Sequence, residues 1–543
     1  MVEILYTDIA PGAKADISEI NVSEINSEIS NANLLQIEGN ESVNYATLEL
    51  NQWKLDGTYK GLSASVVPFW GVQVSADEAS DGKYLFETPI TITRVFANKH
   101  TSVGVTLAFG STEDFCNSLN IKWYNDDEIV SDKDFAPNEC KYYCEQNVGL
   151  FNKVEITFYS MSKPNRFLKL YAIDDGVQRS FKDKELENIS LLEEMSLISE
   201  ELPINTLDFT LRSTDNTEFL FQKKQPLTVL HNGELAGTFF IDASERTSRN
   251  TYDVTAQDYI GVFDTVKFYG GIYKTATVES IVSSIFDNEG IEYELDAELA
   301  AVTLSGYIPI CSKREALAQV LFASGGVCST ARSKKMRIFK LSEDVKDVDA
   351  NNVFLGGKIS TSNIVTAITV TGHNYVSASE TSEVFKGEMS IGTSYIEFSS
   401  PVDISKTVSI SSNATIEAIY SNYCVITVAT EGEVTITAYT YNDNQTFKTL
   451  RNADVVSGTA ENEIEVTDAT LVSASNIDDV ASRVLAHYIK NKTLECDIVI
   501  NDEMCGDKVN LQTEWSGIQT GRIEQLEYDL RRKKIGKVVQ RIG

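Results

Sequence analysis

Apolar and polar positions alternate with period two along much of this chain. Val154, Ile156 and Phe158 interleave with Lys153, Glu155 and Thr157, the mark of a half-buried strand. Similar runs occupy 90–96, 103–109 and 167–173, and Ser162-Lys-Pro-Asn165 supplies a turn before the last of them. Candidate strands begin near Tyr45–Leu50, so 41–176 is predicted to be a β-sandwich. Residues 1–40 are acidic and rich in Ser, Asn and Ile without clean periodicity, and are set apart as an N-terminal segment.

The period changes to 3.6 beyond residue 272. Thr277 can cap a helix bearing Val278, Ile281, Val282, Ile285 and Phe286 on one face. Ser312-Lys-Arg-Glu315 has the form of a capping box before Ala316, Leu317, Val320 and Leu321, and Gly325-Gly326 stops that helix. A hairpin follows through 327–331 and 336–341, turning at Arg332-Ser-Lys-Lys335, so 273–352 reads as a small α/β domain. Thr- and Val-rich alternation around Glu431-Gly432 predicts an inserted immunoglobulin-like sandwich over 384–475. A helix over 477–489 would return the chain from it.

One strand pattern occurs twice. Gln225–Arg246 and Gly506–Leu530 each hold a short apolar strand, a turn (Asn232-Gly233; Ser516-Gly517), and a second glycine, Gly237 or Gly521, opening a strand of alternating character. Both glycines are candidate ring or turn positions, and Gly521 is predicted to allow a tight turn or close backbone approach where a β-branched side chain would clash. A repeated hairpin predicts a repeated barrel, over 177–272 and over 353–383 with 476–543. The second barrel is expected to open at Val365–Thr371. Three chains with two barrels each would present six similar faces.

At 543 residues the chain is too long for one core. Its net charge of −32 argues against sequence-specific nucleic acid or anionic lipid as a partner, because phosphate binding needs clustered cations. Eight cysteines contain no Cys-x-x-Cys pair. Cys140 and Cys144, four apart, could share a helical face, but no further zinc ligands lie nearby. No signal peptide and no membrane span are read, so synthesis in the cytoplasm and release by lysis are expected.

Catalytic chemistry is sought and not found. The four histidines fall in four different predicted segments, and there is no His-Glu-x-x-His, Walker loop or Gly-x-Ser-x-Gly elbow. No enzyme, cofactor, metal or catalytic residue is therefore assigned. Arg531, Arg532, Lys533 and Lys534 stand out in so acidic a chain. They are either a solvated hairpin tip or a docking patch for an acidic partner or neighbouring subunit. Trp53, Trp70, Tyr84 and Trp123 either fill the N-terminal sandwich core or stack on sugar rings.

The order of parts resembles the central hub of contractile-phage baseplates and R-type tailocins, diffocin-like bacteriocin particles included. The residues carrying the resemblance are Leu207–Leu211, Gln225–Val229, Gly237–Ile241, Thr255–Gly261, Arg314–Val320, Gly506–Val509 and Thr520–Ile523. It covers about 180–380 and 476–543. Asn44–Glu49 and Trp53–Gly57 resemble the galactose-binding-type jelly rolls attached to such hubs. The resemblance implies a mainly β, multidomain fold. Its parts are two tube-like β-barrels, a small α/β domain, an N-terminal jelly roll at 41–176 and the inserted sandwich. It also implies a homotrimer joining a hexameric tail tube protein to a trimeric central spike, beside other baseplate or wedge proteins, in an extracellular tail particle. The alternative is a receptor-binding tail protein whose jelly roll grips cell-wall glycan.

Overall fold

The computed structural model describes residues 1–9, 16–23, 35, 44–47, 49, 59–60, 69–73, 84–109, 114–213, 219, 221, 223–287, 291–514, 516–531 and 535–542. The fold is mainly β and multidomain. The chain divides into two compact units: Met1–Val2, Asp183–Arg212 and Thr228–Gly543 form one, Glu3–Lys182 and Ser213–Leu227 the other.

The larger unit contains two sets of five strands. The first set is β1 (Leu186–Glu194), β2 (Thr206–Arg212), β3 (Pro226–His231), β4 (Glu234–Arg246) and β5 (Thr251–Gln257). The second is β6 (Lys358–Thr361), β7 (Lys492–Val499), β8 (Lys508–Thr513), β9 (Gly517–Asp529) and β10 (Ile535–Ile542). They follow one another in a single sheet of order β3-β4-β5-β2-β1-β9-β10-β7-β6, with β8 added on β9. Alternation builds them: Leu207, Phe209 and Leu211 of β2 are buried between polar neighbours, as are Leu494, Cys496 and Ile498 of β7. Each large aliphatic or aromatic side chain so enclosed contributes about 1.5–3 kcal/mol.

Three helices, α1 (Val278–Phe286), α2 (Lys313–Ser324) and α3 (Ile477–Tyr488), share one core with the strands around them. Thr277 caps α1, and the Ser312/Glu315 capping box opens α2, which Gly325 ends in the left-handed conformation at φ 79°. The expected opening of the second barrel is corrected here. The strand Ala367–Gly372, expected to open the second barrel, pairs instead with Thr446–Arg451 and Glu463–Val466, and its Ile368 and Val370 lie in the helical lobe's core. Its alternation is that of any half-buried strand and does not name its neighbour.

The inserted sandwich is correspondingly smaller than 384–475. Its two three-stranded sheets run from Tyr375 to Asp443 and enclose Val384, Ile396, Val402, Cys424, Ile426 and Ile436. The amide of Asn444 donates to the Asn374 carbonyl at 2.9 Å, closing the stem. Residues 446–472 return to the lobe, where Val466, Leu471 and Val472 are core.

In the smaller unit, strands Ile17–Val22, Tyr84–Ala108, Lys141–Met161, Cys116–Asn125 and Glu128–Phe135 lie side by side in that order. The two longest are broken by register shifts that let both halves line one core. Residues 1–40, expected as a separate segment, are partly built into sheets here: Glu3–Ile9 pairs with Gly176–Lys182, and Ile17–Val22 with Tyr84–Ala108. Arg94 and Asp175 form a buried bidentate pair at 2.6 and 2.7 Å.

Candidate functional site

The feature that sets this molecule apart is the wall of paired strands, so the site is built from its hairpins. In the first, β3 turns into β4 through Asn232 (φ 54°) and Gly233 (φ 84°), the two consecutive positive angles of a tight hairpin turn. In the second, β8 turns into β9 through Gly517 at φ 67°. Each outgoing strand is 13 residues long.

The pairing order within each set is the same. β1 pairs with β2, β2 with β5, and β5 with β4. Likewise β6 pairs with β7, β7 with β10, and β10 with β9. The hairpins β3–β4 and β8–β9 complete each set. The long strand carries one bulge in each set, between Ile241 and Ala243 in β4 and between Ile523 and Gln525 in β9.

Gly237 and Gly521 lie inside these long strands, four residues past the turn glycines, and neither has a left-handed backbone. They differ in surroundings. A Cβ on Gly521 would sit 2.2 Å from the carbonyl oxygen of Arg541 in β10, an approach only glycine permits. The nearest atoms to a Cβ on Gly237 belong to the Phe239 ring, at 2.5 Å.

The two sets join where β1 pairs antiparallel with β9, from Ser190 opposite Asp529 to Glu194 opposite Gln525. A buried polar group pins this seam. The Tyr528 hydroxyl donates to Glu193 Oε1 at 2.7 Å, and Arg332 donates from Nε and Nη2 at 3.3 Å each. The Cys505 thiol donates to the Glu193 carbonyl. Burial and then the Glu193 charge push the Tyr528 hydroxyl well above its usual pKa. For Arg332, burial opposes the charge, but Glu193 and Tyr528 together more than offset it and the pKa rises. Removing one partner would leave a buried charge uncompensated, at about 3–5 kcal/mol. Sequence reading missed this group because its members are 139 and 335 residues apart.

Of the basic cluster, Arg531 is exposed; its amide donates to Asp529 Oδ1 at 2.9 Å and its guanidinium to the Glu187 carbonyl. Arg532, Lys533 and Lys534 lie outside the described residues, as does Trp53. Trp70 is on the strand Phe69–Gln73. Tyr84 packs half-buried against the core of the smaller unit. Trp123 is 0% exposed, so it presents no ring face to a sugar; it fills the core.

The histidines remain apart. His100 meets Asp16 at 2.8 Å, His373 meets Asp443 at 2.8 Å, and His231 is buried in the first hairpin. Burial pushes His487 down to about 4. Cys144 lies in a strand, not on a helix, and all eight cysteines are free thiols. Among the described residues no three His, Cys, Asp or Glu side chains are grouped to hold a metal ion, and no helix is long and apolar enough to cross a membrane.

No protein-family model matches the chain, and no curated protein matches it. Solved structures do resemble it. A prophage tail protein gp18 from Listeria monocytogenes EGD-e matches at TM-score 0.41 and 11% identity, over 67% of this chain and 91% of that one. A tail protein from Neisseria meningitidis MC58 matches at TM-score 0.42 and 10% identity, over 67% and 93%. The E. coli c3393 protein, a type VI secretion component, matches at 0.32 and 8%, over 66% and 72%.

Proposed function

We propose that this chain is a structural hub of a contractile tail particle, a trimer whose six barrels imitate one layer of a hexameric tube. One observation carries the reading: two five-strand sets in one chain share the same pairing order and stand side by side in one sheet. A chain built this way supplies two near-equivalent wall segments, and three copies supply six. One end of the ring would seat on the hexameric tail tube protein and the other on a trimeric spike, with other baseplate or wedge proteins around it. With −32 per chain, a lumen lined by acidic residues would repel nucleic acid. The role is mechanical; no catalytic step is assigned to it. Such a hub reaches the outside of the cell within its particle.

Electron microscopy of the purified chain tests this. Class averages are expected to show a closed ring of six lobes with three-fold symmetry. Isolated single particles with two lobes would overturn it.

A further inference from the structure

The seam inside one chain is a template for the seam between chains. β1, the first strand of the first set, is covered along its outer edge by β9, the long strand of the second set. β6 is the counterpart of β1, since each pairs with the strand that in turn pairs with the last of its set. Yet β6 ends the sheet: β7 lies on one side and, among the described residues, no strand on the other. Its residues alternate weakly and are mostly exposed. Exposed apolar side chains flank it along the chain: Phe354 is 43% exposed, Leu355 80% and Ile364 47%. An open strand edge flanked by exposed apolar groups is a site for strand addition, and a liability if left open.

We infer that a second copy of this chain covers that edge with the later half of its β4, the counterpart of β9. This rests on the ring reading above and names its contact. The internal seam also sets the register. With Gly237 and Gly521 taken as matched positions, counting rows along the pairings makes Lys358 the counterpart of Leu192 and Ala243 that of Glu527. Leu192 faces Glu527 within the chain, so Lys358 of one copy faces Ala243 of the next, antiparallel. Glu245 then lies diagonal to Lys358, an opposite-charge neighbour on the same face of the sheet. Ala243 and Glu245 are exposed, as this contact requires. Gly357, the counterpart of Leu191, lies against Cys496 of β7, where its missing side chain keeps the edge flat. The contact is head-to-tail, so it closes into a ring only because the same surfaces repeat around the axis.

The test is a full-length chain carrying Lys358→Cys and Ala243→Cys together. Mild oxidation is expected to give covalent dimers and trimers that neither single variant gives, with the native mass unchanged under reducing conditions. A trimer that yields no such cross-links would overturn this seam and leave the ring reading standing. A chain that stays monomeric before oxidation would overturn both. Should the cysteine pair not fold, charge exchange replaces it. Lys358→Glu or Glu245→Lys alone is expected to weaken trimer assembly roughly two- to fivefold per seam, and the two combined to restore it. Absence of restoration would reject the register.

Discussion

The two five-strand sets share a pairing order but differ in their first strands and in what interrupts them. β1 spans nine residues, is flanked on both sides and buries Leu186, Ile189 and Leu191. β6 spans four, is flanked on one side and is mostly exposed. The chain passes from β1 to β2 directly, whereas between β6 and β7 it makes an excursion from 362 to 491. That excursion leaves and re-enters at one point, where the Ser362 amide donates to the Asn491 carbonyl at 2.8 Å. The sandwich is a second excursion nested inside the first, closed at Asn374 and Asn444. A sheet tolerates insertion wherever two neighbouring strands end side by side, because the inserted part imposes no change on the pairing. The short first strand of the second set, open on one side, is the difference on which the proposed seam rests.

The sharpest way to break the equivalence of the two sets is at their matched glycines. Gly521→Val drives a side chain into the Arg541 backbone, which cannot withdraw without opening β9 from β10. A loss of about 3 kcal/mol or more is expected, read by denaturant unfolding, together with lost assembly. Gly237→Val first meets the Phe239 ring, a side chain that can turn aside, and a loss of about 1–2 kcal/mol is expected. Equal losses at both sites would mean that the close approach at Gly521 does not exist.

The smallest effect is expected from trimming the nested excursion. Joining Asn374 to Asn444 through a short Gly/Ser bridge removes both sandwich sheets and leaves the lobe core whole. The assembly should still weigh three times the shortened chain, with barrel stability unchanged within error. Deleting 384–475 instead would strip Leu450, Val466, Leu471 and Val472 from the lobe and should lower the melting temperature sharply. If the shorter excision also abolished assembly, the sandwich would be part of the ring contact.

Much of this architecture was legible in the residues. Period-two alternation, Asn232-Gly233 and Ser516-Gly517 give the two hairpins, and the Ser312/Glu315 box and Gly325 give the ends of α2. Three things escaped. Thr446–Arg451 alternates as a sandwich strand would, and only its pairing with Ala367–Gly372 assigns it to the lobe. β6 carries almost no signal, because alternation records burial and its four residues are mostly exposed. The Glu193, Arg332 and Tyr528 group joins positions whose proximity depends on the completed fold. Of the four aromatics weighed as sugar platforms, Trp123 is enclosed because a large ring in a β-rich core gains more from burial than from exposure.

The central claim, that two wall segments per chain serve a three-chain ring, is tested most directly by the mass of the purified full-length protein in solution, measured by sedimentation or native mass spectrometry across a wide concentration range. A three-chain ring requires a stable species at three times the chain mass of 60.1 kDa. A stable monomer, or a hexamer, would contradict it.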